Sequence, residues 1–208
     1  MKQYFVTGTN TDVGKTLVSA ILCENLKADY FKPIQTGSHE ILDANTISTL
    51  TDAKIHKNSY CLEIPASPAF SAKQEGIEIK FENIKLPDTN GNNLIVEGAG
   101  GCMVPINSTQ TTLDLIKYLN LPTVIVVKNE LGCVSSALTT ILALRSKNIS
   151  IAGVILNGDY DPFNNYEAIE QYGKVDVLDK IQHFDVVDKY NIKKYKLCQK
   201  ALNKLLGE

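Results

Sequence analysis

Nine residues, Gly8-Thr9-Asn10-Thr11-Asp12-Val13-Gly14-Lys15-Thr16, follow the apolar run Tyr4-Phe5-Val6 and have the make-up of a phosphate-binding loop. A strand that stops at a glycine, turns through small polar residues and re-enters as Leu17-Val18-Ser19-Ala20-Ile21-Leu22 leaves several backbone N–H groups without helical partners. Those donors converge on one concavity and call for an anion. Lys15 adds a point charge that reaches the terminal phosphates of a nucleotide, and the Thr16 hydroxyl is placed to ligate a magnesium ion bridging them. The spacing is longer than usual: five residues separate Gly8 from Gly14, with Thr9 at the ordinary glycine position.

A second set of chemistry-bearing residues follows other apolar runs. Glu97 comes directly after Leu94-Ile95-Val96, where it is expected to end the strand, and precedes Gly98-Ala99-Gly100-Gly101, a backbone that a ligand can approach closely. A hard divalent ion on phosphates needs one or two carboxylates besides the loop hydroxyl, and Glu97 fits that need. Asp43, in a turn before a helix, is the second candidate, with a helix N-cap as the equally simple alternative. Lys32, between Tyr30-Phe31 and Pro33, puts an ammonium at another strand end.

Positioning these residues requires a parallel sheet. Short β-rich runs alternate with helical patterns, and the strands at residues 2–7, 94–96, 123–127 and 151–156 are continuous apolar runs suited to burial on both faces. Residues 30–32 and 60–62 are weaker strand candidates. Helices are predicted at 15–27, 41–51, 111–119, 135–147 and 195–206, the last with Leu197, Ala201, Leu202 and Leu205 at helical spacing. The turn-rich stretch 74–93 reads as a loop or short helix. The expected fold is α/β, a three-layer, mostly parallel sheet flanked by helices, in one domain over residues 1–208. In such sheets a ligand lies beyond the carboxyl ends of the strands, which assigns the site to residues 8–16, 32–38, 97–101, 128–136 and from 157 onward.

Composition narrows the partners. A net charge of −2 and a pI near 6.0 announce no basic face for nucleic acid or acidic lipid, so a small molecule is favoured. The five cysteines, Cys23, Cys61, Cys102, Cys133 and Cys198, lack metal-ligand spacing and read as reduced packing residues. The three histidines, His39, His56 and His183, lie in polar segments and read as solvated. A core strand near the start, with neither a signal-peptide pattern nor a run of bilayer length, points to the cytoplasm and away from a membrane.

Taken together, these residues resemble the dethiobiotin synthetases, P-loop enzymes of biotin biosynthesis. The lengthened loop Gly-Thr-x-Thr-x-Val-Gly-Lys-Thr is met by residues 8–16, and the Lys-Pro strand end by Phe31-Lys32-Pro33-Ile34-Gln35-Thr36-Gly37-Ser38. Val-Glu-Gly-Ala-Gly-Gly with a later Val-Pro is met by residues 96–101 and Val104-Pro105, and further elements by Ser67-Pro68, Glu75-Gly76 and Gly132-Cys133. The resemblance implies that 7,8-diaminononanoate, CO2 and a nucleoside triphosphate, ATP by default, with Mg2+ give dethiobiotin through a carbamate and a carbamic-phosphoric anhydride. It implies Lys15 and Lys32 as catalytic cations and Thr16, Asp43 and Glu97 as the magnesium ligands. Nucleotide contacts are implied at Asp12, Val13, Gly14, Lys15, Thr16, Leu17, Asp43, Glu97, Gly98, Ala99, Gly100, Asn157 and Gly158, with Asn157 reading the base. Diamine and carbamate contacts are implied at Thr11, Thr36 and the backbone of residues 98–100. In a homodimer, the partner subunit would hold the substrate carboxylate at Gly132, Cys133, Val134 and Ser135, where a purely structural helix start is the alternative.

The chain departs from the family pattern at Ala69, where a histidine is frequent, and at Ser135, where asparagine is usual. Residues 159–181 are shortened and lack a Gly-x-Ile-Pro turn. Two rival readings carry less. A partition-type P-loop ATPase has a signature lysine at the position held here by Asn10, and a glutamine-dependent amide synthase needs a glutaminase domain that 208 residues do not accommodate.

Overall fold

The computed structural model describes residues 1–37, 42–160, 162 and 164–207. Seven strands form one parallel sheet: β1 Gln3–Gly8, β2 Ala28–Phe31, β4 Ile55–His56, β6 Asn93–Gly101, β7 Thr123–Lys128, β8 Ile151–Asn157 and β9 Val177–Ile181, in the order β4-β2-β6-β1-β7-β8-β9. β3 Ile34–Gln35 and β5 Tyr60–Cys61 make a separate parallel pair. The helices are α1 Lys15–Leu26, α2 Asp43–Leu50, α3 Pro68–Gln74, α4 Thr112–Leu119, α5 Cys133–Ser146, α6 Asn165–Gly173, α7 Lys189–Lys194 and α8 Gln199–Leu206, with a short 3₁₀ turn at Phe81–Asn83.

The three layers follow from side-chain alternation along strands buried on both faces. Phe5, Phe31, Leu94, Val96, Ile125 and Val127 point to one side and pack with α4, α5 and α6. Their neighbours Val6, Tyr30, Ile95, Val124 and Val126 point to the other and pack with α1, α2, α7 and α8. Parallel pairing brings every strand's carboxyl end to the same edge of the sheet, with β1 central between β6 and β7. Among the described residues no helix is long and apolar enough to cross a membrane.

Several sequence expectations are corrected. The helix predicted over 195–206 begins only at Gln199. Leu197 enters the core from an extended segment whose N–H groups bond Asn25 and Asp179, an alternative to the helical ladder that helical periodicity does not reveal. α5 begins at Cys133, two residues ahead of the predicted start. α3, α6 and β9 were not foreseen, being short or rich in polar residues. β6 does not end at Glu97 but continues through the glycines, where the register against β1 shifts so that Val6 pairs with Glu97 and Gly8 with Gly101, an irregularity that glycine backbone accommodates. His56 is not solvated: its Nε2 lies 2.7 Å from Asp29 Oδ2, with the ring largely buried. Cys61 and Cys198 are exposed, not packing residues, whereas Cys23, Cys102 and Cys133 are buried, and all five are free thiols. Ser38, His39 and Ile41 lie outside the described residues.

Candidate active site

α1 opens on Gly14, whose φ of 91° is the left-handed conformation that glycine adopts without strain. No side chain caps this helix, and the backbone N–H groups of residues 12–17 find no acceptor among the described residues. Six donors at a helix start around one loop make a strong anion cradle. The loop is braced from two sides. Thr9 N–H bonds Val126 O at 3.0 Å. On the other side Asn157, the last residue of β8, donates its amide to Val13 O at 3.0 Å. A β-carbon on Gly14 would lie 2.1 Å from Asn157 Nδ2, so the brace depends on glycine at that position.

Four side chains converge beside this cradle. Thr16 Oγ1 lies 2.7 Å from Asp43 Oδ1 and 3.1 Å from Glu97 Oε1. Lys32 Nζ, one residue past β2, lies 2.5 Å from Asp43 Oδ2 and 3.2 Å from Glu97 Oε1. Asp43 is the first residue of α2, with Leu42 in the capping position, so its carboxylate faces Thr16 and Lys32 and is not an N-cap. Glu97 is 1% exposed and Lys32 6%, a burial that a charged pair tolerates only when matched in this way. Among the described residues no group of three or more His, Cys, Asp and Glu side chains could hold a metal. The site offers a hydroxyl and two carboxylates, and that hard-oxygen set suits magnesium, which keeps several waters and takes phosphate oxygens for the rest.

The electrostatics follow from this geometry. Burial draws the Lys15 ammonium below its ordinary value, with the charge of Lys32 adding to the effect and Glu97, Asp43 and Asp12 opposing it. Lys15 Nζ rests on Asn10 O at 3.1 Å, inside the loop. Burial also acts to lower Lys32, but Glu97 and Asp43 outweigh it and the ammonium is held above its usual range. Burial acts to raise Asp43, and Lys32 overcomes it, leaving the carboxyl below its usual range.

The structure brings other sequence-predicted residues to the same edge. Thr11 is exposed at the loop tip, and a β-carbon on Gly100 would come within 3.7 Å of its hydroxyl, so loop and β6 glycines meet. Thr36 follows β3 and is half-buried, and Gly158 follows β8. At the start of α5, Cys133 is buried and its N–H is taken by Glu130 O at 3.1 Å. The N–H groups of Gly132, Val134 and Ser135 have no backbone acceptor among the described residues. Tyr30 was missed: its hydroxyl donates to Glu97 Oε2 at 3.0 Å, and nothing in a short apolar strand marks that contact in advance.

A family model described as an AAA domain matches residues 2–190. The ATP-dependent dethiobiotin synthetase of Lawsonia intracellularis is 44% identical over 197 residues, covering 95% of this chain and 96% of the relative. The chain belongs to the dethiobiotin synthetase family. Two further members, from Paramagnetospirillum magneticum and Cytophaga hutchinsonii, are 43% and 47% identical over 90% and 76% of this chain and 91% and 78% of their own. A solved ParA family ATPase from Chlorobium tepidum TLS aligns with a TM-score of 0.57 at 14% identity over 99% of this chain and 98% of its own, and so shares the P-loop fold.

Proposed function

We propose that this chain carboxylates 7,8-diaminononanoate with CO2 and closes the ureido ring of dethiobiotin at the expense of ATP. The observation that carries the reading is the cluster of Lys15, Lys32, Thr16, Asp43 and Glu97 at the mouth of the loop. A nitrogen of the diamine attacks CO2, forming an N–C bond and releasing a proton. A carbamate oxygen then takes the γ-phosphoryl group as the bond to the β-phosphate oxygen breaks. The second amine attacks the carbonyl carbon, inorganic phosphate leaves, and the ring closes.

A free alkylammonium has a pKa of ~10.4 and is no nucleophile. Burial and the charge of Lys32 draw Lys15 down, and like-charge repulsion from the two lysines would act in the same direction on a substrate ammonium brought beside them. The neutral amine is thereby favoured. Lys15 and Lys32 then stabilise the carbamate anion and the charge on the transferring phosphoryl group, with the loop N–H groups on the phosphates. Magnesium held by Thr16, Asp43 and Glu97 would supply charge neutralisation across the β- and γ-phosphates. Thr11, Thr36 and the backbone at Gly98, Ala99 and Gly100 are proposed to hold the diamine and carbamate, and Asn157 and Gly158 to border the base. A homodimer in the cytoplasm, with Val134 and Ser135 of one subunit holding the substrate carboxylate of the other, completes the reading.

Phosphate release by the purified protein tests it. Turnover is expected only when diamine and CO2 are both present, with dethiobiotin formed in equal amount. Release at the same rate without the diamine would make this a nucleotide switch and sink the proposal.

A further inference from the structure

Glu97 presents its two oxygens to different neighbours. Oε1 faces Thr16 Oγ1 and Lys32 Nζ, while Oε2 accepts the Tyr30 hydroxyl at 3.0 Å. Tyr30 is fully buried, its ring packed in the apolar layer with Val6, Ile21, Ile47 and Ile95. A hydroxyl in such a layer costs free energy unless it is paired, and Glu97 is the acceptor that the structure supplies. The two strands explain how they meet. β2 and β6 pair Tyr30 with Ile95 and Phe31 with Val96. Glu97 shares the sheet face of Ile95, two residues back, and this is the face to which Tyr30 also points.

The plane of a glutamate carboxylate is poorly determined by its own torsion, because the terminal sp³–sp² well is broad and nearly two-fold. Its hydrogen bonds set it instead. Lys32 and Thr16 both pull on Oε1 alone, so Tyr30 is the group that fixes the second oxygen and with it the carboxylate plane. We propose that Tyr30 is a positioning residue that aims Glu97 Oε1 at the magnesium ion bound with the nucleotide. This rests on Glu97 serving as a metal ligand, as proposed above. Outer partners of this kind contribute about 10–100-fold to metal affinity in sites where they have been removed.

The test uses Mn2+ as the metal probe with ADP, read by the loss of the free Mn2+ electron paramagnetic resonance signal, on wild type, Tyr30→Phe, Glu97→Gln and the double variant. Nucleotide affinity is measured in parallel with a fluorescent ADP in EDTA, and folding by thermal unfolding. Tyr30→Phe, which keeps the ring, is expected to weaken Mn2+ about tenfold while leaving metal-free ADP affinity unchanged. In the Glu97→Gln background it should add little, since residues acting through one another are non-additive. Wild-type Mn2+ affinity in Tyr30→Phe, or an equal loss with and without metal, would overturn the role of Tyr30. Wild-type Mn2+ affinity in Glu97→Gln would instead overturn the metal-ligand reading on which it stands.

Discussion

Lys32 holds two carboxylates at once, and one of them, Glu97, has almost no contact with water. Replacing Lys32 by alanine removes the cation from a buried pair, which destabilises by about 3 kcal/mol, and removes a charge from the transferring phosphoryl group, which lowers turnover by about 10³-fold. Chemical denaturation and steady-state dethiobiotin formation read the two effects separately. ADP affinity is expected to stay nearly unchanged, and wild-type turnover would take Lys32 out of the mechanism. Asn157 makes a different kind of contribution. Its amide nitrogen is bonded to Val13 O and packed on Gly14, so Asn157→Ala is expected to loosen the phosphate cradle and weaken ATP and GTP by the same factor. Calorimetry with both nucleotides measures this, and a loss confined to ATP would mean that Asn157 acts on the base and not through the loop.

Short elements carry the site and are held by local devices. α4 begins with a capping box in which Thr111 N–H and Oγ1 both meet Asp114 Oδ2, at 2.9 and 3.0 Å, and Lys147 reaches Asp114 Oδ1 at 3.1 Å. The Thr111 N–H bond, with help from Lys147, holds the Asp114 carboxyl below its usual range. A depressed folded-state pKa means that this stabilisation is complete above the unfolded value of ~3.9 and fades as pH falls through the folded one. Asp114→Ala is expected to cost about 1 kcal/mol near neutrality, and the gap in Tm from wild type should close under strong acid. A gap that persists there would mean that packing, not the cap, is lost. α5 differs, starting on Gly132 in a left-handed conformation with no side-chain cap, and the N–H groups of Val134 and Ser135 in its first turn have no backbone acceptor among the described residues.

At the scale of the whole molecule, the proposal divides each site between two subunits: Lys32 from one and the α5 start from the other. Lys32→Ala and Ser135→Asp, the latter repelling a substrate carboxylate while suiting a helix N-terminus, are each expected to be poorly active. Mixed and re-equilibrated, they should recover roughly a quarter of wild-type activity, because half of a random population is the mixed dimer with one intact site in two. Recovery of none would confine the site to a single chain.

The P-loop, the parallel sheet and the family were legible in residues 8–16, 31–38 and 96–101, because phosphate binding depends on backbone donors and glycines that are contiguous in sequence. The apolar runs of β1, β7 and β8 were legible for a related reason: burial on both faces leaves a continuous hydrophobic string. Tertiary structure alone decided that Asp43 turns to Thr16 and Lys32 and does not cap its helix, that Asn157 reaches across 144 positions to brace Val13, and that Tyr30 meets Glu97. Those contacts join strands and helices far apart in the chain. Their geometry is set by sheet order and register, which no local spacing encodes.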